Sequence, residues 1–233
     1  MTAPAGKAVL IIGASRGLGY ALAAEYLARG WQVTATVRGA GRTGLRDLAS
    51  SADGRLVVET IDITVPEQVA ALRERLTQAT FDLLFVNAGV TNGPEETVAD
   101  VSTDTFVRLM VTNALSPMRV VEALQDLVAP DGTIAVMSSG QGSVANNEKG
   151  GFEVYRASKS ALNQLMRSFA ARHADDPRTL LLMAPGWVQT DLGGPAAPLT
   201  IDQSIPGVAD TIEAQAGQGG LHYLDYRGQT VRW

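Results

Sequence analysis

Apolar positions along this chain follow two rhythms that take turns. AVLII (8–12) is a short unbroken apolar run, the mark of a parallel strand buried on both faces. Residues 17–29 follow with apolar side chains at helical spacing, and Gly30 closes that stretch. QVTATV (32–37) predicts a second strand, RTGLRDLAS (42–50) a weak helix, and RLVVETI (55–61) a third strand with Asp62 after it. PEQVAALRERL (66–76) opens on a proline, favoured in a first helical turn, with a glutamate suited to the helix dipole. FDLLFV (81–86) is a fourth strand, and a long helical stretch runs from Ser102 to Val128 with a bend expected near Pro117. GTIAVM (132–137) is a fifth strand, 153–172 a helix, TLLLMAP (179–185) a sixth strand and LHYLDY (221–226) a last one.

There is no internal repeat, low-complexity tract or linker. Strands and helices in alternation predict one domain over 1–233, a Rossmann-type, doubly wound three-layer α/β sandwich. Its sheet should be mostly parallel and seven-stranded. Right-handed crossovers would gather the loops after the strand C-termini on one edge, where ligands bind in such folds.

Composition narrows the partners. The chain has 233 residues, 45% hydrophobic and 18% charged, with a net charge of −5 and a pI near 5.1. Such a balance has no basic footprint, so nucleic acid is not expected. Cysteine is absent, which removes disulfides, thiolate metal sites and cysteine nucleophiles together. The early apolar run is broken by Gly13, too short for a signal-peptide core or a membrane span. A cytoplasmic protein without membrane contact is the expectation.

The first strand runs straight into GASRGLG (13–19), which opens a helix. Gly13, Gly17 and Gly19 let the backbone turn and approach a pyrophosphate, while the helix start offers unpaired N–H groups and a positive dipole end. Ser15, Arg16 and Leu18 complete the loop. NAD sites place an acid about 20 residues on, at the end of strand 2. Here that strand ends in Val37-Arg38, and no acid occurs between Gln32 and Arg46. Arg38 and Arg16 instead offer two guanidinium groups to a 2′-phosphate. The expected cofactor is therefore NADP(H), preferred over NAD(H).

A second pattern is VYRASKSALNQL (154–165). The chain owns three lysines against sixteen arginines, yet Lys159 stands four places after Tyr155. Residues so spaced share a helix face. A phenol has a pKa near 10 and is a poor proton exchanger at neutral pH; a nearby ammonium would lower it. The pair therefore reads as an acid–base phenol with a cationic neighbour.

Together these stretches resemble the short-chain dehydrogenase/reductase family, of the single-domain type. GASRGLG (13–19), Asp62-Ile63, NAG (87–89), Asn113, Ser138-Ser139, YRASK (155–159) and PGWVQTDL (185–192) occur in the family's order and span nearly the whole chain. GSVANNEKGGFEVYRASKSALN and the closing stretch resemble a narrower branch, the carbonyl reductases similar to the myxobacterial C-signal protein and the fly protein sniffer. The resemblance implies that Asp62 and Ile63 face the adenine and that Asn87, Ala88 and Gly89 line the adenosine side. It implies a nicotinamide pocket shaped by Pro185, Gly186, Val188 and Thr190. It makes Asn113, Ser139, Tyr155 and Lys159 the catalytic set, with Tyr155 and Lys159 also touching the cofactor and Asn113 fixing a proton-relaying water.

One spacing departs from the family. About thirteen residues commonly separate its serine and tyrosine, whereas Ser139 and Tyr155 are sixteen apart. The narrower branch shares the longer loop, so Ser139 is retained; Ser138 and Ser143 stay open. The implied activity is reversible hydride transfer to the carbonyl of an aldehyde or ketone. The competing reading is an NADP(H)-binding sensor or signalling protein without turnover. Family members associate as dimers or tetramers, so a homodimer or homotetramer is an expected partner. Two distant histidines, His173 and His222, give a metal little support. Trp187 reads equally as a pocket wall or a packing residue. GGPAAPLTIDQSI (193–205) reads as a short mobile lid over the substrate.

Overall fold

The computed structural model describes residues 6–39 and 41–233. Seven strands form one sheet: β1 (Ala8–Ile12), β2 (Gln32–Val37), β3 (Leu56–Thr60), β4 (Phe81–Val86), β5 (Val128–Met137), β6 (Thr179–Ala184) and β7 (Gly220–Asp225). Their order is β3-β2-β1-β4-β5-β6-β7, and every neighbouring pair is parallel. The order reverses between β1 and β4, which opens a crevice at the strands' C-terminal edge. Registers pair Ile12 with Val86, Val86 with Val136, Met137 with Met183 and Ala184 with Asp225. The loops that begin at Gly13, Asn87, Ser138 and Pro185 therefore leave the sheet side by side.

Helices α1 (Gly17–Ala28), α2 (Gly44–Ser50) and α7 (Ile201–Ala214) cover one face of the sheet; α3 (Pro66–Arg75), α4 (Thr103–Met110), α5 (Ser116–Leu124) and α6 (Glu153–Arg172) lie toward the other. Side chains alternate along each strand. Ile12, Leu84, Val136 and Leu182 meet Val120, Leu162 and Phe169 on one side. Ile11, Leu83, Met137 and Met183 meet Leu22, Tyr26, Val208 and Ile212 on the other. Burial on both faces is why these strands read as unbroken apolar runs.

Three stretches differ from expectation. β5 begins at Val128, four residues before the predicted Gly132, with a register shift between Phe81 and Leu83 in its neighbour. The long helix is interrupted by a π-helical turn, Val111–Leu115, just before Pro117. Proline has no N–H to give the Asn113 carbonyl four residues earlier, so the ladder cannot continue there. The proposed lid is loop only as far as Thr200. Ile201 to Ile205 belong to α7, which starts with a reciprocal cap between Thr200 and Gln203.

Among the described residues no helix is long and apolar enough to cross a membrane, and no cluster of three or more metal-binding side chains occurs.

Candidate active site

A continuous cleft of about 1480 Å³ runs along the C-terminal edge of the sheet. Its first end is the glycine loop. The Gly13 amide donates to Thr36 Oγ1 at 2.9 Å, and the Ala14 amide donates to the Thr36 carbonyl at 2.7 Å, so β2 holds the loop's start. Asn87 Nδ2 donates to the Gly13 carbonyl at 2.8 Å, tying β4's end to the same loop. Gly13, Ser15, Arg16, Gly17 and Leu18 line the cleft; Gly19 sits behind it, packed on Gly13.

Beyond β2, Arg38, Asp62 and Ile63 line the same end of the cleft. Asp62 accepts from the Thr64 hydroxyl at 2.7 Å and its amide at 2.9 Å. Those bonds, with the Arg38 charge nearby, hold its carboxyl below the usual range. Ser15 Oγ accepts the Arg38 amide at 3.3 Å. Arg16 does not join Arg38 here. Its guanidinium pairs with Asp191 at 2.8 Å, on the loop that follows β6, and both side chains are largely exposed.

The other end is built by β5, α6 and the loop after β6. Tyr155 and Lys159 share one face of α6 and are 7% and 3% exposed. Lys159 Nζ donates to the Met137 carbonyl at 2.9 Å and stands 5.9 Å from the Tyr155 ring centre. Among the described residues it has no carboxylate partner, and burial depresses its pKa to about 8. Burial also pushes the Tyr155 phenol up to about 12, against the opposing hydrogen bond of Ser139. This reverses the expected lowering of the phenol's pKa. Desolvation is the main cause, with Tyr223 adding to it, while the Lys159 amine is turned toward a β5 carbonyl.

The three candidate serines have different partners. Ser138 Oγ donates to Asn163 Oδ1 at 2.6 Å, deep in the protein. Ser143 Oγ accepts the Asn146 amide at 3.1 Å and is also buried. Ser139 is the one beside the Tyr155 hydroxyl, at the start of a tight turn over Gly140–Gly142. Asn113, in the π turn, lies wholly buried behind the cleft wall. Its side chain grips the Val90 backbone through both N–H and C=O at 2.8 Å and donates to Ser158 Oγ at 2.9 Å. It therefore fixes the segment after Asn87, Ala88 and Gly89, all three of which line the cleft.

Pro185, Gly186, Val188 and Thr190 also line the cleft. Ser204 Oγ donates to the Pro185 carbonyl at 2.6 Å, and Trp187 Nε1 donates to the Gly193 carbonyl at 2.7 Å. Val188 bridges to Leu199, and Gln189 Nε2 donates to the Ala197 carbonyl at 2.9 Å. The stretch read as a short mobile lid is thus tied to the pocket segment. Several cleft residues carry no sequence signal: Thr36, Arg108, Gln141, Phe152 and Val231. Phe152 alone leaves a trace in the backbone, at φ 50° three residues before Tyr155.

A parallel sheet with a glycine loop at its switch point, and a buried tyrosine and lysine across the crevice, defines a Rossmann-type protein built around a dinucleotide-sized cleft. The chain belongs to the short-chain dehydrogenase family of oxidoreductases, whose family model matches residues 7–198. It is 36% identical to C-signal of Myxococcus xanthus over 154 residues, 65% of this chain and 92% of that one. A Burkholderia multivorans structure assigned to the short-chain dehydrogenase/reductases, with bound NADP, superimposes with a TM-score of 0.96. It is 61% identical, and the match covers 98% of this chain and 100% of that one. A carbonyl reductase from Pseudomonas aeruginosa PAO1 in complex with NADP gives a TM-score of 0.90 at 38% identity, with the same coverage of each chain.

Proposed function

We propose that this protein is an NADPH-dependent reductase of aldehydes or ketones. The observation that carries the proposal is the convergence of Ser139, Tyr155 and Lys159 on one end of a cleft whose other end is the glycine loop. The family match and the NADP-bound neighbours support it.

The cleft suits a dinucleotide. A Cβ on Gly13 would press on the Ala88 backbone at 3.0 Å, so loop and strand end already touch. The start of α1 presents N–H groups with no acid in its first turn to repel phosphate. Gly13 to Leu18 would hold the pyrophosphate, Arg38 the 2′-phosphate, Asp62 and Ile63 the adenine, and Val188 with Thr190 the nicotinamide. When bound, NADPH supplies the hydride.

The chain's own residues do the rest. Ser139 donates a hydrogen bond to the substrate's carbonyl oxygen. Tyr155 then passes its proton to that oxygen as negative charge develops on it. With a pKa near 12 the phenol is protonated at neutral pH, the form that reduction needs. Lys159 adds positive charge beside that phenol and stabilises it once the proton has left. Asn113 holds the Val90 segment, so the wall beside Lys159 does not drift.

The test is NADPH consumption with a panel of aldehydes and ketones, using the native chain and Tyr155→Phe. The variant should lose nearly all turnover and keep NADPH affinity. Full turnover by Tyr155→Phe would refute the acid role. Tight NADPH binding with no substrate-dependent oxidation by the native chain would favour a binding or signalling protein instead.

A further inference from the structure

Tyr223 lies on β7, an edge strand that the sequence marks only as a strand, with no site role. Its ring is only 2% exposed. Its hydroxyl donates to the backbone carbonyl of Ser139. Three contacts hold that ring and its surroundings. Trp233 meets it edge to face, with centroids 5.5 Å apart. Arg167, from α6, stacks on the same indole at 4.0 Å. The Val231 amide donates to the Tyr223 carbonyl at 2.8 Å.

The same short segment also grips the loop that follows Ser139. The Trp233 carbonyl accepts the Ala145 amide at 3.0 Å, and Arg232 Nε donates to Asn146 Oδ1 at 2.8 Å. What these anchors restrain matters, because the loop is soft by composition. Ser139 is followed by Gly140, Gln141 and Gly142, and glycine tolerates many backbone rotations. Inside the turn the Ser139 carbonyl accepts the Gly142 amide at 2.8 Å and the Ser139 hydroxyl accepts the Gln141 amide at 3.1 Å; the Tyr223 hydroxyl is the anchor from outside the turn, tying this soft segment to the sheet.

We propose that Tyr223, backed by Trp233, is a positioning residue for Ser139, fixing the peptide that aims the serine hydroxyl into the cleft. The proposal rests on the reading of Ser139 as the hydrogen-bond donor to the substrate carbonyl. A misplacement of about 1 Å at such a group can cost about a hundredfold in rate, and loss of a single anchoring bond a fraction of that.

The test is a double-mutant cycle of Tyr223→Phe and Ser139→Ala, with NADPH affinity as a control. Tyr223→Phe keeps the ring and should lower kcat about tenfold while the NADPH Kd stays within about twofold. In the Ser139→Ala background it should add no further loss. Trp233→Ala should show a smaller loss that Trp233→Phe restores. Independently of turnover, Tyr223→Phe should speed amide hydrogen exchange at residues 140–146. Wild-type kcat in Tyr223→Phe, an equal loss in both backgrounds, or unchanged exchange overturns the proposal. Wild-type kcat in Ser139→Ala overturns the underlying reading of the serine, and the positioning role falls with it.

Discussion

Gly19 lies so close to the Gly13 carbonyl that a Cβ on it would stand 2.1 Å from the oxygen and 2.5 Å from Asn87 Nδ2. That carbonyl also accepts a hydrogen bond from Asn87 Nδ2 at 2.8 Å. The start of α1, the end of β1 and the end of β4 therefore meet at one oxygen, and the meeting sets the shape of the proposed phosphate cradle. The carbonyl is backbone and cannot swing aside, and Asn87 can turn away only by giving up its bond to that carbonyl, so Gly19→Ala must move backbone. Overpacking of this kind costs about 1–3 kcal/mol. The variant should melt at a lower temperature and bind NADPH at least about tenfold more weakly, because the α1 N-terminus is pushed off the loop. Thermal unfolding and cofactor titration read both effects, and an alanine variant matching the native chain in the two would remove the claim.

Arg16 is engaged by Asp191 across the cleft, not by Arg38. A 2′-phosphate would have to compete with that carboxylate for the guanidinium. Exposed pairs of this kind contribute about 0–1 kcal/mol, which bounds the competition. Asp191→Asn should therefore tighten NADPH binding by up to about fivefold and leave NADH binding as it was. Arg38→Ala should weaken NADPH far more than NADH. Parallel titrations of both nucleotides settle the matter: equal changes for the two would show that neither arginine reads the phosphate.

Lys159 is buried without a counter-ion, and its pKa falls from 10.5 to about 8. Between these values the unfolded chain holds a proton that the folded chain has released. Stability from this group consequently rises with pH across that window, and below about pH 8 the folded state carries the full cost of a buried charge. A shift of this size corresponds to roughly 3 kcal/mol. Lys159→Met has no such charge. In the absence of nucleotide, the native chain should gain on Lys159→Met as pH rises from 8 to 10.5, by up to about 3 kcal/mol. Denaturant unfolding at several pH values measures the gap. A gap independent of pH would mean that the amine is well solvated.

The central strands β1, β4 and β6 were legible because burial on both faces leaves no polar alternation to confuse them, and Tyr155 and Lys159 were legible because helical spacing is local. α7 was hidden by Pro206 and Gly207, which look like a break. Gly207 is there because a Cβ would meet the Tyr226 carbonyl at 2.4 Å. The Thr200–Gln203 cap and the apolar spacing of Ile201, Ile205, Val208 and Ile212 were the available signals. Pro117 marked the bend in the long helix, but the irregularity falls one turn earlier, at Asn113. The raised phenol, the Asp191 pairing and the Tyr223 contact all depend on neighbours far apart in the chain. Local pattern carries nothing about them.

β7 pairs with β6 so that Tyr223 lies opposite Leu182 and Leu224 opposite Met183. A strand slipped by one residue turns every side chain to the opposite face. Such a slip would put His222 or Leu224 beneath Ser139 and send the phenol away from it. An edge strand, commonly the part of a sheet most tolerant of sequence drift, is here tied by its alignment to the proposed chemistry.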